Sequence, residues 1–95
     1  MACNIEGRVA SVTPQGNLVT DIPLARLAGA PSDESVRVLC DEFETRGLFP
    51  PDHGQPEMTF IAILSGGGML ELVLVGESAS AFFGLKAGAK VVVSW

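Results

Sequence analysis

Short apolar segments alternate with turn sequences along almost the whole chain, and this pattern restricts the fold more than any other feature. The segments are rich in β-branched residues, and Pro, Gly and Asn separate them, which is typical of strands and not of long helices. The predicted strands are Ile5–Val12, Leu18–Ile22, Val36–Cys40, Glu42–Arg46, Met58–Leu64, Met69–Val75 and Lys90–Ser94. Many short strands joined by tight turns build a sandwich or a barrel.

A barrel is the better of these two solutions. The apolar runs Met58–Leu64 and Met69–Val75 leave little room for a polar sheet edge, and a barrel has no edge to protect. We therefore predict an all-β fold, an antiparallel barrel of about seven strands with one or two short helical turns. The helical turns are Pro23–Leu27 and Glu77–Phe83, the second ending at Gly84 as its C-cap.

Length and composition indicate one domain, residues 1–95, with enough apolar side chains for a modest core. Of the 95 residues 47% are hydrophobic and 18% are charged, the opposite balance to that of a disordered chain. The formal net charge of −5 predicts no nucleic-acid partner and no contact with an anionic membrane.

The sequence carries no segment that would direct it to or across a membrane. No apolar run reaches the roughly 18 residues of a bilayer-spanning helix, and Met1–Glu6 lacks the pattern of a secretory signal. Cys3 and Cys40 do not form a disulfide framework in this pattern, so we expect reduced thiols and a cytoplasmic protein.

Residues suited to catalysis or metal binding are scarce. His53 is the only histidine and lies in a Pro/Gly loop, so it is interpreted as a solvated loop residue; no metal site and no catalytic residue are predicted. Gly66–Gly68 is more typical of a tight hairpin than of a phosphate loop, because a strand pattern follows it where a phosphate loop has a helix.

Three further features have a structural and a functional interpretation. Phe82 and Phe83 are core residues or a stacking platform. The acidic residues of the loops are solvated surface, in preference to an acid/base pair. Asn17 is a turn residue, or its amide pairs with the edge of an adenine ring, to which it can donate and from which it can accept.

The order and spacing of several motifs resemble the C-terminal domain of the S-adenosylmethionine hydroxide/halide adenosyltransferases (SAM hydrolases and the fluorinase/chlorinase-like enzymes). The resemblance extends from Ile5 to Val93, and its most specific element begins at Gly16. The matching segments are Glu6-Gly7-Arg8-Val9, Gly16-Asn17-Leu18-Val19-Thr20-Asp21-Ile22-Pro23, Ser65-x-Gly67-x-x-Leu70-Glu71-Leu72, Gly76-Glu77-Ser78-Ala79 and Gly88-x-x-Val91-Val92-Val93.

This resemblance implies a Greek-key barrel that recognises adenine. Members of the family hold S-adenosylmethionine between the N-terminal domain of one subunit and the C-terminal domain of its neighbour, in a trimer. Hydroxide, or chloride or fluoride in a few members, attacks the carbon bonded to sulfur, and methionine leaves. The residues that handle the ribose and the attacking water belong mainly to the N-terminal domain, which this sequence does not contain.

Two ligand-binding residues carry over from the family. Asn17 matches the adenine-binding asparagine, and Ser65 matches a hairpin serine that approaches the same ring, so we expect the two side chains to lie together at one rim of the barrel. The sequence departs from the family at Gln15, where an aromatic residue is usual, and at Asp21, where asparagine is usual. The basic residues often found after the hairpin serine have no counterpart here.

Three functions agree with these observations. The first is a stand-alone domain that binds adenosine or S-adenosylmethionine or contacts another subunit, with no catalysis of its own. The second is one half of a split adenosyltransferase that acts with a separately encoded N-terminal domain. The third is a structural barrel that has lost ligand binding and serves oligomerisation.

Overall fold

The computed structural model describes residues 3–31 and 33–95, and β-strands dominate it. The strands are β1 (Asn4–Val12), β2 (Leu18–Pro23), β3 (Arg37–Cys40), β4 (Phe43–Arg46), β5 (Leu48–Phe49), β6 (Phe60–Leu64), β7 (Met69–Leu74) and β8 (Lys90–Ser94). A 3₁₀ turn, Leu24–Leu27, follows β2, and one short helix, α1 (Ala79–Phe83), precedes β8. The all-β prediction is therefore confirmed, with eight strands where about seven were expected.

The strands form one sheet that nearly closes on itself. Its order is β4-β3-β8-β1-β2-β7-β6-β5, so the two outermost strands are β4 and β5. These two strands are one continuous stretch of chain, interrupted only by Gly47, which has a positive φ of 88°. At the seam, where β4 approaches β6, the Thr45 hydroxyl donates to the Phe60 carbonyl of β6 at 2.6 Å. The chain thus turns at Gly47 from one edge of the sheet to the other, which nearly closes the barrel.

One strand pair corrects the prediction of a wholly antiparallel sheet. β5 pairs with β6 in parallel, with Leu48 opposite Ala62 and Phe49 opposite Ile63. The loop between these strands, residues 50–59, returns the chain to the starting end of β5 before β6 begins, and such a return is what a parallel pair requires. The other strand pairs of the sheet are antiparallel.

Two connections pass over neighbouring strands and set the topology. β3 follows β2 in the chain but pairs with β8, and β8 follows β7 but lies between β3 and β1. An up-and-down barrel would instead pair each strand with the next in sequence. The connections are therefore of the Greek-key kind that the resemblance implies.

The core occupies the inside of the barrel, as the alternating pattern predicts. Val36, Val38 and Cys40 are completely buried, and the inward positions of β7 are Leu70, Leu72 and Leu74. Thr20 is also buried: its hydroxyl donates to the Leu70 carbonyl at 2.7 Å. This bond lies where the pairing of β2 with β7 is irregular, so the side chain supplies a contact between the two strands there.

The helix predicted over Glu77–Phe83 begins two residues later in the structure, at Ala79. Ser78 is the N-cap, and its hydroxyl accepts a hydrogen bond from the Ala81 backbone N–H at 3.1 Å. Gly84 ends the helix in the left-handed conformation, with φ 69°, so the predicted C-cap is confirmed.

Candidate functional site

A tight turn fixes Asn17 at the beginning of β2. The Gly16 N–H donates to the Thr13 carbonyl at 2.8 Å, and the Thr13 N–H donates to the Asn17 carbonyl at 2.9 Å. The Thr13 hydroxyl also accepts from the Asn17 backbone N–H at 3.1 Å. The Asn17 side chain is half-buried, and its amide hydrogen-bonds to no residue that the structure describes. The backbone of Asn17 is therefore fixed, and its side-chain amide stays free to bind a ligand.

Asn17 lines an open groove of about 490 Å³ at this end of the barrel. The volume falls in the usual range for small-molecule sites, about 300–1,000 Å³. The groove lies between the Asn17 turn and the segment that joins β7 to α1. Besides Asn17, the residues of interest in its wall are Gln15, Val73, Gly76, Glu77 and Ser78.

The wall of this groove combines an amide, an apolar strip and bare backbone. Val73 contributes the apolar strip from β7, and Gly76 contributes backbone without a side chain. Gly76 has φ 79°, a conformation that suits glycine. Such a wall can place a flat ring against Val73 while one amide binds the polar edge of the ring.

Ser65 lies at the opposite end of the barrel from Asn17, so the expectation that the two meet at one rim is wrong. Leu18, beside Asn17, pairs with Leu72 of β7, whereas the far end of β2 pairs with Met69, next to the hairpin that Ser65 opens. Leu72 and Met69 are three residues apart along β7, about 10 Å at the usual rise per residue of a strand, and Asn17 precedes Leu18 at the outer end of this interval. Asn17 and Ser65 therefore do not contact one planar ring together.

The Ser65 hydroxyl is already used within its own hairpin. It donates to the Met69 carbonyl at 3.1 Å and accepts from the Gly67 N–H at 3.3 Å. Gly68 has φ 85° and completes the turn. The hairpin interpretation of Gly66–Gly68 is thus confirmed, and ligand binding by Ser65 stays a prediction from the resemblance.

Of the two phenylalanines of α1, one packs at the edge of the core and the other is exposed. The Phe83 ring packs against Phe43 and Phe60, with centroids 4.4 and 4.8 Å apart, and belongs to the edge of the core. Phe82 is 60% exposed. Only Phe82 is therefore available to a partner or ligand.

The histidine and the two cysteines have ordinary structural surroundings. The Nδ1 atom of His53 accepts from the Gln55 backbone N–H at 2.9 Å, a contact internal to the loop. Cys3 is exposed, Cys40 is buried, and both are free thiols, as expected. Within residues 3–31 and 33–95, no three His, Cys, Asp or Glu side chains come together to hold a metal ion.

A second concavity, of about 460 Å³, lies on the outside of β3 and β8. Its wall consists of Leu39, Asp41, Glu42, Lys90 and Val92. It offers charged and aliphatic groups but neither an amide nor a hydroxyl side chain. The Asn17 groove is thus better equipped to recognise a heterocyclic ring.

Sequence reasoning gave no role to three residues of the groove and its margin. Gly76 and Ser78 stand in the family pattern without an assigned function, and Glu57 immediately precedes the predicted strand Met58–Leu64. The side chain of Glu57 lies against Gly76: a Cβ atom built on that glycine would be 3.1 Å from Cγ of Glu57. The one signal in the sequence for this wall of the groove was Gly76, a glycine shortly before the helix N-cap Ser78.

No helix in the described part of the chain has both the length and the apolar character needed to cross a membrane.

Comparison with known proteins identifies the fold only. No protein-family model and no curated protein matches the chain. The structure is similar to that of an uncharacterized conserved protein from Thermotoga maritima, with a TM-score of 0.77 and 23% identity over 95% of this chain. It is also similar to a conserved hypothetical protein from Thermus thermophilus, with a TM-score of 0.73 and 24% identity over 93% of this chain. The chain spans about a third of the length of these proteins, 35% and 34% respectively.

Proposed function

We propose that this domain binds the adenine part of a nucleoside, adenosine or S-adenosylmethionine, in the Asn17 groove, and that a second polypeptide closes the groove. The domain contributes recognition and has no catalysis of its own. One observation carries the proposal. The Asn17 side-chain amide has no hydrogen-bond partner among the described residues, and it lines a groove at the end of the barrel where exposed apolar side chains lie. The resemblance to the adenosyltransferase C-terminal domain supports adenine as the ring.

The Asn17 amide suits the polar edge of adenine. Its N–H₂ donates and its oxygen accepts, and the adenine edge offers the reciprocal pair, an acceptor at N7 and a donor at N6. Val73 supplies an apolar contact to the face of the ring. Gln15 supplies no aromatic surface, so we expect weak binding by the isolated domain.

Exposed apolar side chains around the groove support a partner surface. Val12, Met58 and Phe82 are 37%, 50% and 60% exposed, and they are three of the four large hydrophobic residues exposed in the described chain. All three lie at the Asn17 end. Val12 pairs with Leu18 beside Asn17, and Met58 donates its backbone N–H to the carbonyl of Val75, next to Gly76. Phe82 stands one turn after Ser78 in α1.

Apolar residues clustered at one end of a domain are typical of an interaction site. Because this end also carries the open groove, a partner docked there would supply the missing wall. We propose an N-terminal adenosyltransferase-like domain as this partner. In the two similar structures, the matched fold likewise accounts for only about a third of a longer chain.

A titration of the isotope-labelled domain with adenosine tests the proposal. We expect shifts of the amide signals of residues 15–17 and 73–78, and a loss of about 5- to 150-fold in affinity for Asn17→Ala, from the 1–3 kcal/mol of a bidentate pair. The matched control is Asn4→Ala, since Asn4 is an exposed asparagine at the other end of β1. Equal adenosine affinity in the wild type and in Asn17→Ala would contradict the assignment.

Two further measurements complete the test. Incubated alone with S-adenosylmethionine, the domain should release neither adenosine nor methionine above background. Its mass in solution should be that of one chain until the partner domain is added. A stable homo-oligomer that buries Phe82 would instead identify the occupant of the apolar margin as a second copy of this chain.

A further inference from the structure

We infer that Glu57 and Glu77 restrict the Asn17 groove to nucleosides without phosphate groups. The inference rests on the proposed function, because it concerns which adenine-containing ligands the same groove admits. It follows from the charges at one wall of the groove.

Two glutamates from different segments neighbour Gly76, one of the residues that line the groove. Glu77 is part of the groove wall, and its backbone is fixed by donation to the Leu74 carbonyl at 3.0 Å. Glu57 comes from the long loop before β6. It lies across Gly76, at 3.1 Å from Cγ to the position of a Cβ atom on that glycine. The missing side chain at residue 76 is therefore what lets the Glu57 stem reach this wall.

No cation offsets these two charges in the described structure. The ion pairs join Arg37 and Arg46 to Glu44, and Lys90 to Glu6, and they leave Glu57 and Glu77 unpaired. The groove wall contains neither lysine nor arginine. The sequence itself has no lysine or arginine between Arg46 and Lys86, and the whole chain carries a formal charge of −5.

A phosphate group near this corner would meet two negative charges and no counter-charge. Sites that bind phosphate supply cationic side chains or converging backbone N–H groups, and sites that reject it place like charges nearby. Adenosine carries no charge and escapes the repulsion. We therefore expect adenosine 5′-monophosphate to bind at least about 10-fold more weakly than adenosine at low ionic strength, with the ratio shrinking as salt screens the charges.

Dissociation constants for adenosine and adenosine 5′-monophosphate, measured on three proteins, test the inference. These are the wild type, the double variant Glu57→Gln/Glu77→Gln, and the control Glu34→Gln/Glu42→Gln, which alters two exposed carboxylates outside the groove. The groove variant should lose most of the preference for adenosine over the monophosphate, read as the ratio of the two dissociation constants on the same protein. The control should keep that preference.

The outcomes separate the inference from the proposed function. Equal affinity of the wild type for both ligands, or an undiminished preference in Glu57→Gln/Glu77→Gln, overturns the role of the two glutamates while adenine binding stands. Failure of the wild type to bind adenosine overturns both.

Discussion

The backbone of Gly16 lies directly against Ser78, the residue that caps α1. A Cβ atom on Gly16 would overlap the Ser78 side chain and lie 2.8 Å from its Cα atom. The Ser80 N–H also donates to the Gly16 carbonyl at 3.0 Å. The Asn17 turn and the start of α1 are thus packed as one unit, so the two sides of the groove keep a fixed spacing.

Gly16→Ala should therefore destabilise the domain strongly. Gly16 has φ 87°, where an L-residue is strained, and the added methyl group has no space against Ser78. The two costs together are about 2–5 kcal/mol in the free energy of unfolding, which urea denaturation would measure. The control is Gly66→Ala, because no atom lies within 4 Å of a Cβ on Gly66. Equal losses of stability in the two variants would show that Gly16 does not lie in close contact with Ser78.

Thr45→Val should loosen the seam that closes the barrel. The valine keeps the shape of the side chain but removes the hydroxyl that donates to the Phe60 carbonyl of β6. We expect a loss of about 1–2 kcal/mol. Hydrogen exchange at the amides of β4 and β5 should accelerate, with β1 and β2 little affected.

Thr59→Val provides the control for the seam. Thr59 is half-buried beside the same strand, and among the described residues its hydroxyl has no hydrogen-bond partner. Its replacement should leave exchange at β4 and β5 unchanged. Equal acceleration in both variants would show that the seam does not depend on the Thr45 hydroxyl.

Local patterns in the sequence were enough to predict most strands. The alternation of Val36, Val38 and Cys40 identified the inward face of β3, and Gly84 identified the end of α1. The two-residue strand β5 was missed because Pro50 and Pro51 follow it at once and its partner lies in a distant segment. A strand this short has no periodicity of its own and depends on the turn at Gly47.

The position of the site could not be predicted in the same way. Asn17 begins β2 and Ser65 follows β6, so both lie at strand ends, but a sequence does not show which ends meet. β2 and β6 are both antiparallel to β7 and therefore run in the same direction. The start of one and the end of the other must then lie at opposite ends of the barrel. The pairing of strands that are distant in the sequence therefore determines that Asn17 and Ser65 lie apart.

Cys40 should resist alkylation in the folded protein while Cys3 reacts. Burial raises the pKa of the Cys40 thiol from 9.0 to about 11, and the negative charge of Asp41 adds to the effect. The thiolate is the reactive form, and Cys40 is also completely shielded from solvent, whereas Cys3 is exposed. Iodoacetamide at pH 8 should add one label in native buffer and two in denaturant, as read by mass spectrometry.

The same pKa shift predicts how stability changes in alkaline solution. Between pH 9 and 11 the unfolded chain has released the Cys40 proton and the folded chain still holds it, so raising the pH favours unfolding. Below pH 9 both states are protonated, and the contribution of this thiol is constant. Through the window the wild type should lose about 1.4 kcal/mol per pH unit relative to Cys40→Ala, which has no thiol to titrate there. Lysine and arginine titrate alike in both proteins, so urea denaturation of the pair at several pH values isolates the Cys40 term. Parallel stability curves from pH 8 to 11 would mean that Cys40 ionises as readily in the folded barrel as in the unfolded chain.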